Sequence, residues 1–430
     1  MVSNGAFRRP GETMHNSNAD TKSHSIRHLL RVFLPFALGY FISYLFRNVN
    51  AVIAPDLVRD LALDPASLGL LSSVYLLSFG AFQLPLGLLL DRFGPRRVEA
   101  ALLLLAAAGA YLFGHAQSLT GLVAGRALIG LGVSACLMAA FKAFVIWFPR
   151  ERLPLANGVQ MVSGGLGALA ATTPVELALH VTDWRGVFSA VALLTLLAAV
   201  GVFLLVPEKP AAHSKETLTG QLRGIGTVLR SRYFWRLAPW AFTAQAAYLS
   251  IFGLWAGPWL RDVAGYERTE VAGTLSGLAL ATIVGYLLFG SLADRLARRG
   301  ITPLRVANTG MTLFALVQVG LLVVTDGWVL PLWLLFGVCG TSCILPYAVI
   351  SQHFPAELSG RANTALNLLV FFAAFVAQWG IGAIIGLWPE TAAGGYALAG
   401  YRAGFAAVLG AQALAAAWFV IMARWGRVAA

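Results

Sequence analysis

Apolar residues run in blocks of roughly twenty from Leu29 to the C-terminus, and each block is closed by a short polar stretch. A helix rises 1.5 Å per residue, so about 20 residues span a hydrocarbon layer of ~30 Å. Each block therefore has the length of one crossing. The pattern predicts helices near 30–54, 68–90, 98–116, 121–148, 155–178, 185–206, 234–260, 270–293, 303–325, 328–350, 362–387 and 397–422. The fold class is an all-α membrane protein with twelve transmembrane helices. One connection is long and polar: it carries Lys209, Lys215, Arg223 and Arg230, and it separates six-helix bundles at 29–206 and 234–423 by a linker at 207–233. Residues 1–28 are polar, without the apolar core of a signal peptide, and are expected to form a disordered cytoplasmic tail.

Composition sharpens this picture. The chain of 430 residues is 58% hydrophobic and only 12% charged, where a soluble chain would be about a quarter charged. A net charge of +12 would suit nucleic acid if it were gathered on one soluble face. Instead the Lys and Arg occupy alternate connections. One side collects Arg8, Arg9, Lys22, Arg27, Arg92, Arg96, Arg97, the linker, Arg295, Arg298, Arg299, Arg305 and Arg361; the other keeps Arg59, Arg185, Arg261, Arg268 and Arg402. This excess predicts both termini inside. A multi-pass, monomeric protein of the cell inner (plasma) membrane is expected, with lipid rather than nucleic acid around it.

Two connections carry more than charge. Gly87-Leu-Leu-Leu-Asp91-Arg92-Phe-Gly94-Pro-Arg96-Arg97 is repeated as Gly290-Ser-Leu-Ala-Asp294-Arg295-Leu-Ala-Arg298-Arg299. The halves also echo one another in Phe148-Pro149 with Asn157 against Phe354-Pro355 with Asn363, and in Pro55-x-Leu57 against Pro258-x-Leu260. These strings resemble the loop signature of the major facilitator superfamily. The resemblance implies two pseudo-symmetric bundles around a midplane site, with alternating access by rocking. It further implies that Gly87, Asp91, Arg92, Arg96, Asp294 and Arg295 form a cytoplasmic latch that holds the outward-open state. The alternative is that the arginines only enforce topology.

Charges inside the hydrocarbon zone are costly and point to function. Arg47, Arg126, Lys142 and Glu176 are such residues, all in the first half. Arg47 lies ~7 residues, or ~10 Å, from the outer end of its helix, on one face with Tyr40 and Tyr44. Arg126 is at similar depth on the fourth segment. Two guanidiniums facing one cleft would repel unless an anion stood between them, and Arg offers a planar pair of donors to a carboxylate or phosphate. The string Tyr44-Leu-Phe-Arg47-Asn48 resembles the first helix of organophosphate:phosphate antiporters and anion:cation symporters, which implies that Arg47 binds the substrate's anionic group. Otherwise Arg47 pairs with Glu176 or caps helix-end carbonyls. Lys142 either snorkels to headgroups or serves as an inner way-station. Glu176 is either an outer gate partner of Arg126 or an interfacial carboxylate. The symporters often carry an acid on helix 4 after the Arg; here Gly130-Leu-Gly132-Val133-Ser134 has none, so coupling passes through Glu176, through protonation of the substrate, or does not involve protons.

The second half offers an aromatic and polar wall: Gln245, Tyr248, Phe252 and Trp255 on the seventh segment, Tyr347 on the tenth, Trp379 on the eleventh. Together these predict secondary active transport of a small organic anion, carboxylate- or phosphate-bearing and compatible with an aromatic body, in the uptake direction. Efflux of drugs or metabolites is the alternative, although the Gly-Pro run of drug:proton antiporters is missing from Gly164-Gly165-Leu-Gly167. Cys136, Cys339 and Cys343 leave open a copper or metal-chelate importer, but small residues at helix interfaces explain buried thiols more cheaply. No cofactor or resident metal is expected. Without a nucleophile–base pair or a phosphate-cradling loop, the chain is not expected to be an enzyme.

Overall fold

The computed structural model describes residues 17–208, 217–324, 327–391 and 394–428. Arg8, Arg9, Lys209 and Lys215, and the first sixteen residues of the expected tail, lie outside the described residues. Among the described residues all regular structure is helical: α1 (Ser17–Asn48), α2 (Asn50–Leu61), α3 (Pro65–His115), α4 (Leu119–Gly132), α5 (Cys136–Trp147), α6 (Leu153–Ala170), α7 (Thr173–Leu179), α8 (Trp184–Leu205), α9 (Leu218–Leu229), α10 (Arg232–Ser250), α11 (Ala256–Asp262), α12 (Arg268–Ala297), α13 (Pro303–Val323), α14 (Val329–Gly340), α15 (Leu345–His353), α16 (Ala356–Ile385) and α17 (Leu398–Val428). Helix α1 opens ahead of the expected start near residue 29, because residues 17–28 are polar but hold no Gly or Pro to break it.

Caps fix where the helices begin. Asp64 accepts from the Ser67 amide at 2.6 Å with Pro65 at the first helical position, and Asp183 accepts from the Gly186 amide at 2.8 Å. Glu267 and Glu270 form a reciprocal capping box at the start of α12.

Ten stretches among the described residues have the length and apolarity of a crossing. One of them, α3, covers two predicted segments. It breaks at Gly94, whose φ of 79° and ψ of 160° are non-helical and open only to glycine without strain. The predicted segment 234–260 is not among the ten. It is divided into α10, a π-helical turn at Ile251–Trp255, and α11. The predicted fourth and tenth segments are each broken once near the middle, at Val133–Ala135 and at the 3₁₀ turn Thr341–Ile344. Small residues crowd both places.

The helices before α9 pack on one another: α1 on α5, α6 and α8, and α3 on α4, α5 and α8. Those after α9 do the same: α10 on α16 and α17, and α14 on α12 and α13. The two groups meet along α3 with α16, α6 and α7 with α12, and α2 with α11.

Candidate functional site

Between the two groups lies a cavity of about 1000 Å³. Its deep end is lined by Tyr44, Arg47, Phe252 and Gly253, and its mouth by Asp91, Gln221, Glu357 and Arg361. The mouth is therefore on the face that carries the signature loops.

Arg47 projects from the last turn of α1. Its guanidinium carbon stands 4.7 Å from the Tyr44 ring centre, 5.0 Å from that of Phe79 and 5.6 Å from that of Phe371. Its Nε is buried without a hydrogen-bond partner, and no carboxylate pairs with it among the described residues. Tyr40 and Tyr44 meet edge to face at 5.0 Å on the same wall. The ring of Tyr40 is seated on Gly164, where a Cβ would overlap it, and Gly167 admits the Phe41 carbonyl just as closely. The glycine run of α6 thus lets α1 approach.

Gln245, Tyr248, Phe252 and Tyr347 line the far wall, together with residues the sequence reading missed. Tyr286 of α12, Asn363 and Asn367 of α16, and Gln83 of α3 also line the cavity. The Tyr347 hydroxyl donates to Asn367 Oδ1 at 2.9 Å, and Tyr248 shares a 2.8 Å hydrogen bond with Thr282. Uncharged polar residues cost less in an apolar segment than charges do, which is why sequence inspection passes over them.

Three expected lining residues are elsewhere. Arg126 is 1% exposed and lies behind α1, where Nη1 donates to the Phe46 carbonyl at 2.9 Å beside the α1–α2 break. The Tyr75 and Phe113 rings flank it, at 5.1 and 5.9 Å. Trp255 is fully buried and donates to the Gln378 carbonyl at 2.9 Å. Trp379 is 42% exposed on the outer surface, stacked near Phe375. The π turn at Ile251–Trp255 carries Trp255 off the face of the lining Phe252, and Trp379 stands eight residues, or about 80° of helical rotation, past the lining Phe371.

Gly87, Asp91 and Lys142 line the mouth. Lys142 is ion-paired with Asp91, an arrangement in neither expectation for that lysine. Arg96 and Arg97 pair with Glu208, and Arg96 also donates to the Phe203 carbonyl at 2.8 Å. Asp294 pairs with Arg298 at 2.7 Å, and Arg92 and Arg295 are exposed. All these contacts stay within one group of helices.

The opposite face is closed. Arg268 of α12 donates to both Asp56 oxygens, at 3.1 and 2.5 Å, and to Glu176 Oε2 at 2.7 Å. Glu176 therefore pairs with Arg268 rather than with Arg126 or Arg47. Beneath this knot Thr172 and Thr173 each meet Ser276 at 2.7 Å across the seam. At the rim the Trp184 indole, donating at 2.9 Å, and the neighbouring Arg59 hold the Asp60 carboxyl below its ordinary range. Among the described residues no three His, Cys, Asp or Glu side chains come together to hold a metal; Cys136 opens α5 in the first group of helices, whereas Cys339 and Cys343 lie on α14 and the 3₁₀ turn after it in the second.

Comparison with known proteins agrees with this architecture. A probable sulfoacetate transporter of Cupriavidus necator is 27% identical over 277 residues, covering 61% of this chain and 64% of that protein's length. The hexuronate transporter of Escherichia coli K12 is 25% identical over 302 residues, 66% of this chain and 69% of that one. A probable L-galactonate transporter from the same strain is 24% identical over 367 residues, 78% and 79% of the two chains. Among solved structures, a bacterial homolog of the human lysosomal transporter Spinster superposes with a TM-score of 0.74 at 18% identity, covering 91% of this chain and 96% of the other. The family model of the Major Facilitator Superfamily matches residues 36–378, and the chain belongs to that superfamily of multi-pass membrane transporters.

Proposed function

We propose that the chain is a secondary active transporter that takes up a small organic anion by alternating access, with Arg47 as the group that meets the anion. The observation that carries this reading is the exposure of Arg47 to a large cavity without a carboxylate partner among the described residues. A buried cation without a counter-ion is unfavourable, and a visiting carboxylate, sulfonate or phosphate would supply two acceptors to its donors. The relatives are named for sulfoacetate, hexuronate and galactonate, which are compact, oxygen-rich anions. Tyr286, Tyr347, Asn363 and Asn367 would serve the hydroxyls of such a solute, and Tyr40, Tyr44, Gln245, Tyr248 and Phe252 complete the wall.

In this reading α3 crosses twice, hinged at Gly94, and α10 with α11 crosses once, giving twelve crossings in two six-helix bundles. Both termini lie in the cytoplasm, on the side of the basic loops. The cavity then opens to the cytoplasm, and Arg268 with Asp56 and Glu176 is the outer gate. The signature-loop charges are the inner latch, released here because Asp91 and Asp294 are each paired within their own bundle. The protein works as a monomer in the inner membrane.

The test is a thermal-shift screen of purified protein against glucuronate, galactonate, sulfoacetate, a sugar phosphate, glucose and copper, followed by uptake into proteoliposomes. Stabilisation by anions alone is expected, and Arg47→Ala should weaken it by two to three orders of magnitude in affinity, the cost of losing one partner of a charged pair. Stabilisation by anions that survives Arg47→Ala, or by glucose or copper instead, would overturn the assignment.

A further inference from the structure

Glu99 has no role in the site described above, yet its side chain is fully buried in α3, 0% exposed. Neither carboxyl oxygen has a hydrogen-bond partner. One oxygen presses on Gly39 of α1 so closely that a Cβ there would overlap it, and the thiol of Cys136 on α5 faces the carboxyl. Both neighbours adjoin the cavity wall: Gly39 precedes Tyr40, and Cys136 precedes Leu137.

The charged and titratable side chains on the elements around Glu99 are few. Helix α1 has Arg31, Tyr40, Tyr44 and Arg47 among its described side chains, α4 has Arg126, α5 has Cys136 and Lys142, and α8 has Arg185. Lys142 is held by Asp91, Arg126 by the Phe46 carbonyl, and Arg185 by the carbonyls of Gly114 and Ala116. On α3 itself Arg96 and Arg97 are held by Glu208. None forms an ion pair with Glu99. With only the Cys136 thiol, a weak donor, at hand, an ionised carboxylate in such a place would be little compensated for its lost hydration.

We propose that Glu99 is a proton-binding site: a carboxylic acid kept neutral behind the cavity wall, whose ionisation opposes an anion in the cavity, so that proton and anion occupy the protein together. The linkage is electrostatic and reciprocal. From Gly39, against which Glu99 rests, to Arg47 is eight residues along α1, or ~12 Å. Two unit charges at that separation, at an effective dielectric of ~20, change each other's binding by about tenfold. A negative solute at Arg47 tightens the proton on Glu99, and the proton on Glu99 tightens the solute. This places in the first bundle a proton-binding carboxyl that the sequence of the fourth segment lacks. The pairing with an anion rests on the transport reading; the protonation state does not.

The experiment is an infrared pH titration of the full-length protein in lipid nanodiscs, following the carbonyl stretch of protonated carboxylic acids. Wild type should carry an acid band at neutral pH that Glu99→Gln removes and Glu99→Asp displaces. Arg47→Gln removes a positive charge from the cavity, which has the same electrostatic sign as adding an anion. In that variant the Glu99 proton should be held about tenfold more tightly, so the band disappears about one pH unit higher. Absence of a Glu99-dependent acid band at neutral pH would overturn the proposal, as would a band lost at the same pH in wild type and Arg47→Gln. Should no anion bind while the spectra behave as expected, the transport reading falls and the proton site stands.

Discussion

Arg126 and Arg47 are both arginines in apolar helices, and their surroundings assign them opposite work. Arg126 spends its donor on the Phe46 carbonyl, beside the place where α1 gives way to α2. Arg126→Ala would leave that carbonyl unsatisfied in a buried setting, at about 1–3 kcal/mol. We expect a lower unfolding midpoint with anion affinity changed far less than in Arg47→Ala; equal losses of affinity in the two variants would return Arg126 to the binding site. The cost of burying charge made both residues visible in the sequence, but depth alone could not say which faced the cavity. Glu99 was invisible for a different reason. Only Val98 separates it from Arg97, so it reads as the polar start of the third segment, whereas α3 resumes after the break at Gly94 and places it inside. Tyr286 was within reach: the signature aspartates Asp91 and Asp294 set the register of the two halves, and counting back eight residues from each gives Gln83 and Tyr286, both on the wall.

At the scale of helices, the apolar blocks were legible because a bilayer imposes one length on each, and ten stretches among the described residues have that length. Their internal breaks were not. The interruptions at Val133–Ala135 and Thr341–Ile344 arise where small residues let neighbouring helices come close, and closeness between distant segments has no local signature. Gly167 is the sharpest case, since a Cβ there would overlap the Phe41 carbonyl of α1, while Gly158 on the same helix has open space. Gly167→Leu should therefore separate α1 from α6 and lower the folded yield and the unfolding midpoint. Gly158→Leu, facing open space, should change stability by no more than about 0.5 kcal/mol. Similar midpoints for the two variants would refute the close packing of that seam.

For the whole molecule, the conformation is set by which face holds the bridges between its two groups of helices. On the mouth face the signature-loop charges bond within their own groups, whereas on the far face Arg268 reaches across to Asp56 and Glu176, with Thr172 and Ser276 in contact beneath. Two states in exchange shift tenfold for each 1.4 kcal/mol of difference between them. Arg268 makes charge-assisted bonds to two carboxylates, and its removal leaves Asp56 with Arg59 alone and Glu176 with only the His180 ring nearby. Because the Arg268 side chain is 39% exposed, solvent discounts much of that loss, and a tenfold shift is the expected order. The measurement is oxidative cross-linking between Thr172→Cys and Ser276→Cys in membranes. The pair should join rapidly in the otherwise native protein. Adding Arg268→Ala should slow the reaction, by up to about tenfold, as molecules leave the state in which this seam is shut. Undiminished cross-linking would mean that the seam is held by packing alone, and that the Arg268 knot is not the gate.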